Sequence, residues 1–245
     1  MANSYFQFKQ FTTHQDRCTM KVTTDACLFG AWATKEVECW KFEVSTILDI
    51  GTGTGLLSLM LAQKIHAHID GIEIDKATAG QAVENSAASP WKESINIIHG
   101  DVKDASVLSR KQYDVIVSNP PFYENQLSSP STKKNIAHHD EGLLLPDLLQ
   151  VISKKLAPEG LFCLLLPYKR VEEAKQLMEK NHLAITHITM VKQSTRHDYF
   201  RLFIEGSHAG KPGAHYTQDE IAIKDEKNEY TREFTELLKD YYLHL

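Results

Sequence analysis

Between residues 46 and 118 the chain alternates short apolar runs with segments of helical period. Thr46-Ile-Leu-Asp-Ile50 has the length of a buried strand. It passes directly into Gly51-Thr-Gly-Thr-Gly55 and then into Leu56-Leu-Ser-Leu-Met-Leu-Ala-Gln-Lys64, which predicts strand, glycine turn and helix. The pattern repeats as a strand over 68–74, a helix over 76–88, and strands over 95–99 and 113–118. Repeated βα units predict an α/β fold with a doubly wound, mostly parallel sheet between two helical layers.

Residues 119–141 break the alternation with a polar stretch rich in Ser, Asn and Lys. A long loop at a strand end is a candidate for function. A helix over 146–156, a buried strand over 161–166 and a helix over 171–180 follow. Two strand-like segments, 184–191 and 199–205, lie too close together for a crossover helix and predict an antiparallel finish. A short strand over 220–224 and a closing helix near 231–242 complete the chain. Ahead of residue 46, Phe6, Phe8 and Phe11 precede a polar patch, and Asp25 is placed to cap a helix running through Trp32.

Composition narrows the class. With 42% hydrophobic and 24% charged residues among 245, the chain is an ordinary globular one. Cys18, Cys27, Cys39 and Cys163 form no C-x-x-C pair, and the N-terminus lacks a basic flank followed by an apolar stretch. A soluble, cytoplasmic protein is expected, since no apolar run approaches the ~18 residues of a spanning helix. The 12 histidines show no ligand spacing and read as solvated, with no metal expected; Trp32, Trp40 and Trp91 read as core. A net charge of −5 removes the basic footprint of a general nucleic-acid coat protein.

The chemistry concentrates at predicted strand ends. Asp49-Ile-Gly-Thr-Gly-Thr-Gly55 puts Gly51, Gly53 and Gly55 where a strand hands over to a helix, so a nucleotide-like ligand can approach backbone amides without Cβ interference. The spacing is G-x-G-x-G, which argues against a dinucleotide oxidoreductase. Glu73, at the next strand end, is placed to accept from two ribose hydroxyls. Asp101 follows the third strand, where a carboxylate can receive an exocyclic adenine amine or simply form a turn. The fourth strand ends in Asn119-Pro120-Pro121-Phe122. Two prolines remove two backbone donors and leave carbonyls that only accept; with the Asn119 carboxamide oxygen they make a receptor for an N–H2 group. Phe122 offers a face for a flat base or amide.

Together these residues resemble the class I S-adenosylmethionine-dependent methyltransferases that methylate amines, over residues 46 to about 205. Phe8-Lys-Gln-Phe11, His14-Gln-Asp-Arg-Cys18, Met20-Lys-Val-Thr-Thr-Asp25, Gly30-Ala-Trp-Ala33, Ser89-Pro-Trp91 and the tail from Tyr230 to Leu243 are similar to the bacterial tRNA adenine-N6 methyltransferases acting at nucleotide 37 of a valine tRNA. The resemblance implies a Rossmann-like seven-stranded sheet with the last strand reversed, S-adenosyl-L-methionine over the glycine turn, and a flipped adenine at Asn119-Pro120-Pro121-Phe122. It implies that an N-terminal segment, 1–45, covers the site of a 46–245 methyltransferase domain and brings Lys21 and Asp25 near the cofactor held by Asp49, Gly51, Gly53, Gly55, Glu73 and Asp101. A monomer acting on tRNA is implied, with phosphate contacts on groups such as Lys9, Arg17, Lys133, Lys134, Lys192, Arg196 and Arg201. An asparagine-proline-proline-aromatic corner also suits a glutamine amide of a protein factor or a ribosomal guanine, and an RNA-interaction module without catalysis stays open.

Overall fold

The computed structural model describes residues 3–18, 20–104, 106–108, 110, 112–121, 143–210 and 216–245. Phe122, Lys133, Lys134, the pair His138-His139 and the rest of the loop after β6 lie outside the described residues.

An eight-stranded sheet carries the molecule. Five of its strands, β3 (Thr46–Ile50), β4 (His68–Glu73), β5 (Ile95–His99), β6 (Tyr113–Ser118) and β7 (Leu156–Pro167), are mutually parallel in the order β7-β6-β3-β4-β5, with β5 at one edge. The seven expected strands are completed by β8 (Leu183–Ser194) and β9 (Tyr199–His208); β9 lies between β7 and β8 and runs antiparallel to both. An eighth strand, β10 (Thr217–Lys224), is added parallel to β8 at the edge, longer than the 220–224 segment predicted.

Strand alternation explains why both faces are covered. Ile47, Val115, Val117, Cys163 and Phe203 point to one face, beneath α1 (Thr24–Glu38), α2 (Leu56–Ala62) and α6 (Arg232–Leu238). Leu48, Ile50, Ile116, Leu164 and Ile204 point to the other, beneath α4 (Leu145–Lys155) and α5 (Val171–Lys180). Strands buried on both faces read as continuous apolar runs, which is why they were visible in the sequence.

The N-terminal region departs from expectation. A two-stranded hairpin, β1 (Tyr5–Gln7) with β2 (Thr12–His14), precedes α1. Thr23, not Asp25, caps α1 by accepting from the Ala26 amide, and the helix runs on to Glu38. Every residue from Ala26 to Thr34 is buried, so the apolar period that marks a helix boundary is absent there. At the other end α6 stops at Leu238, because Tyr242 turns back to bridge Phe8.

Candidate active site

β3 is the topological switch point: the chain leaves it toward β4 and β5 on one side and returns to β6 and β7 on the other. A crevice opens beyond the strand ends at such a point. It is a cavity of about 280 Å³, lined among the described residues by the ends of β3, β4, β5 and β6 and by Cys18 and Met20 of the N-terminal segment.

The glycine turn forms its floor. Gly51, Gly53 and Gly55 all adopt left-handed φ values, 70°, 58° and 83°, which a side chain would strain. The turn folds onto the end of β4, where the Gly51 and Thr52 amides donate to the Ile72 carbonyl at 2.9 and 3.1 Å, and the Gly53 amide donates to Glu73 Oε2 at 3.0 Å. These amides are therefore engaged, and the turn presents a flat backbone surface to the cavity through Gly51 and Gly53. Gly55 faces away, with its missing Cβ directed at Ala82 of α3 (Lys76–Ala87).

Asp49 corrects an expectation. Its carboxylate is fully buried beneath the turn and accepts from Thr52 Oγ1 at 2.6 Å, Ser58 Oγ at 2.7 Å and the Ser58 amide at 3.2 Å. Burial pushes its carboxyl up to about 6 despite those donors. Asp49 therefore shapes the turn from below and does not line the cavity. Lys21 is likewise absent from the lining: it is exposed, and its ammonium bonds to the Gln15 carbonyl. Asp25 is drawn to the Arg201 guanidinium, 2.6 Å away, and joins α1 to β9.

Three predicted residues do converge. Glu73 lies at the cavity wall, its carboxylate oriented by the Gly53 and Asp75 amides, each at 3.0 Å, which leaves lone pairs for further donors. Asp101 lines the same wall and accepts from the Lys103 amide at 2.9 Å, so its turn geometry and its site position coexist. Opposite stands Asn119 with Pro121. Asn119 Oδ1 is buried yet has no hydrogen-bond partner among the described residues. A buried acceptor left unpaired costs roughly 1–3 kcal/mol, which a hydrogen-bond donor brought to it would recover. Ser118 Oγ, donating to the Ile50 carbonyl at 2.7 Å, fixes the end of β6 against β3 and sets where Asn119 points.

Cys18 and Met20 were not anticipated as lining. They reach the site because His14 and Asn85 of α3 exchange two hydrogen bonds, 2.9 and 2.8 Å, that dock the segment over the turn. Burial raises the Cys18 thiol, which keeps it a neutral wall.

The polar groups of this cavity are acceptors set in apolar walls of Ile50, Ile72, Ile74 and Val102; Lys103, 3.7 Å from Asp101, is the cation among the lining residues. Such an acceptor set suits a ligand that carries hydroxyls, an amine and positive charge, as S-adenosyl-L-methionine does, and it repels the diphosphate of a dinucleotide.

The comparisons agree with this geometry. Residues 37–187 match the family model described as the methyltransferase small domain. The chain is 41% identical, over 99% of both chains, to a tRNA1(Val) (adenine(37)-N6)-methyltransferase of Parabacteroides distasonis. It is 42% identical, over 98% of both, to one of Dyadobacter fermentans. Its fold is shared with a magnesium protoporphyrin IX methyltransferase of Synechocystis solved with bound S-adenosylmethionine (TM-score 0.51, 16% identity, 74% of this chain and 81% of that one). A predicted O-methyltransferase of Agrobacterium tumefaciens is similar as well (TM-score 0.65, 16% identity, 87% and 95%). Likeness that runs through the N-terminal segment, the methyltransferase core and the closing helix alike places this chain in the tRNA1(Val) (adenine(37)-N6)-methyltransferase family.

Proposed function

We propose that the protein transfers a methyl group from S-adenosyl-L-methionine to the exocyclic N6 amine of adenine 37 in tRNA1(Val), the reaction named for its relatives. The observation that carries the reading is Asn119, which lines the same cavity as Glu73 and Asp101 and whose buried Oδ1 has no hydrogen-bond partner among the described residues.

The cofactor supplies an electrophilic methyl carbon on a sulfonium. Glu73 accepts from the ribose hydroxyls, Asp101 from the adenine amine, and Ile72, Ile74 and Val102 supply apolar wall around them. Asp49, Gly51, Gly53 and Gly55 form and support the turn against which it lies. The N-terminal segment, within 1–45, closes the site through Cys18 and Met20.

Asn119 performs the decisive task. The N6 lone pair of adenine is delocalised into the ring and is a weak nucleophile. Donation of an N6–H to Asn119 Oδ1, and of the second to a carbonyl of the Pro120-Pro121 corner, pulls electron density back onto nitrogen and stabilises the positive charge that develops as the methyl arrives. Phe122, which follows the corner in the sequence and lies outside the described residues, is the candidate to stack on the flipped base. Alignment of the amine with the methyl carbon supplies much of the rate: the N6–C bond would form as the sulfonium C–S bond breaks to leave a neutral thioether, one N6 proton would pass to water, and no covalent intermediate or metal is needed. The protein works as a cytoplasmic monomer.

The test is methyl incorporation from labelled S-adenosyl-L-methionine into unmodified tRNA transcripts, with the product nucleoside identified by mass spectrometry. N6-methyladenosine in tRNA1(Val), lost when adenine 37 is replaced by guanosine, is the expected result. Incorporation into a glutamine amide or a ribosomal guanine instead overturns the substrate.

A further inference from the structure

The cofactor cavity occupies one half of the sheet edge, over β3, β4 and β5. The other half, beyond β7, β9 and β8, carries a group of residues that no step above uses. Because β8 is parallel to β6 and β7, the turn from β8 to β9 emerges on the same edge as Asn119. Three strand spacings separate β6 from β8, about 14 Å.

Aromatic and cationic side chains gather there. Tyr168, in the 3-10 turn after β7, meets Tyr199 at the start of β9 with ring centroids 5.0 Å apart. The Lys192 ammonium lies 4.5 Å from the Tyr199 ring centroid. Both tyrosines are half-buried. Arg170, Lys192 and Arg201 are held by Glu173, Glu220 and Asp25 respectively. Arg196, at the tip of the turn, is exposed, and its guanidinium has no partner among the described residues; the neighbouring Asp198 does not pair with it.

The tip is built rather than loose. Ser194 accepts the His197 amide at its carbonyl (3.0 Å) and the Arg196 amide at its hydroxyl (3.3 Å). The Thr195 amide donates to the Lys224 carbonyl of β10 at 3.0 Å. An unpaired cation on a braced turn beside a stacked tyrosine pair is a low-entropy contact for a phosphate backbone.

The other basic groups named from the sequence are differently engaged. Lys9 bonds to the Lys239 and Leu245 carbonyls near the C-terminus, and Arg17 pairs with Glu84.

We propose that the β8–β9 turn and the Tyr168–Tyr199 pair form a docking rim for single-stranded RNA flanking the target base, with Arg196 holding a backbone phosphate and the tyrosines stacking a neighbouring base. This rests on the reading of the chain as a tRNA adenine methyltransferase, and it adds where the RNA lies: across the β7–β8 half of the edge, a few nucleotides from the base at Asn119. A net acidic chain binds its polyanion through such a local site.

The experiment measures binding of a fluorescent valine anticodon stem-loop as a function of salt, and separately methyl transfer, for wild type, Arg196→Glu, Arg196→Lys and Lys154→Glu. Lys154, in the last turn of α4, enters β7 from the opposite edge of the sheet and controls for net charge. Arg196→Glu is expected to weaken RNA binding and raise the RNA KM about tenfold, and to lower the salt slope by about one, with the loss in KM rather than in kcat. Arg196→Lys restores most of the affinity, and Lys154→Glu leaves it unchanged. Equal effects of Arg196→Glu and Lys154→Glu overturn the rim. RNA binding that depends on Arg196 without methylation of adenine 37 supports the rim and refutes the functional reading; methylation that is indifferent to Arg196 does the reverse.

Discussion

Two polar regions of this molecule differ in what their groups face. On the sheet face beneath α1, His187 of β8 stands between Glu36 (Nδ1 to Oε2, 3.6 Å) and Asp219 of β10 (Nε2 to Oδ1, 3.3 Å). Glu205 of β9 accepts from Thr186 and lies beside Glu36; Thr189 donates to Asp219 and accepts from Trp32 Nε1 at 3.0 Å. The flanking carboxylates of Asp219 and Glu36 push the His187 imidazole up to about 10, so it stays a cation. Burial and the adjoining Glu36 push the Glu205 carboxyl up. Each of these groups faces a partner supplied by the chain. Asn119 Oδ1, at the cofactor cavity, meets none among the described residues. A closed network stabilises a fold, whereas an acceptor left open on a cavity-lining residue is a candidate ligand contact.

The sharpest way to break this contrast is Asn119→Ala. Removal of the open acceptor should lower the single-turnover rate of methyl transfer by about 10²–10³, the scale for losing one aligned hydrogen bond to a developing charge, while the Kd for S-adenosyl-L-methionine changes less than twofold. A parallel loss in both would make Asn119 a structural residue like those around His187.

The converse substitution is His187→Ala. It leaves Glu36, Glu205 and Asp219 without the cation between them, and unfolding should become easier by about 3 kcal/mol in denaturant titrations. Turnover per folded molecule should be unchanged, since His187 lines no part of the cavity. A fall in kcat with undiminished stability would place the network in the catalytic machinery.

Glu73 lies between the extremes, partly satisfied by the Gly53 and Asp75 amides and partly open. Glu73→Ala should weaken S-adenosyl-L-methionine binding by about 2 kcal/mol, within the range for a hydrogen bond to a charged group. Calorimetry that shows unchanged affinity would assign Glu73 to the turn alone.

The same contrast explains what was legible in the sequence. Strand ends were readable because glycine turns and proline pairs are local chemistry, and Glu73, Asp101 and Asn119 stand where strand and turn predicted them. Direction was not readable. Asp49 sits in the same motif as Gly51 but points beneath it, because Thr52 and Ser58 lie within reach on the inner side. Cys18 and Met20 escaped notice because tertiary contacts at His14 and Asn85 bring them in. His187 read as solvated, yet it is held between carboxylates from α1 and β10, elements far apart in sequence. The edge strand β10 was underestimated because Thr217–Glu220 is polar and exposed, and only pairing with β8 makes it strand.

Asp49 tests the boundary between the two regimes, with the smallest expected effect. One of its oxygens is held by Thr52 and Ser58, and the other, Oδ1, is buried with no partner among the described residues. Burial raises its carboxyl from the usual range near 4 to about 6. A folded-state value above the unfolded one means that the native protein binds the proton more tightly, so stability falls as pH rises through 6. Between pH 5 and pH 7 the loss should be about 1 kcal/mol. Carboxylates held down in the native state, such as Asp75 beside Thr78, act with the opposite sign, so the quantity to measure is the difference between wild type and Asp49→Asn in denaturant titrations across that range. The wild type should lose stability relative to the variant as pH rises. Saturating S-adenosyl-L-methionine should shrink the slope, because a bound cation favours the carboxylate. A slope that the cofactor leaves untouched would put Asp49 with His187, among groups satisfied or strained by the fold alone; a slope that collapses would show that the turn's buried acid is completed by the ligand above it.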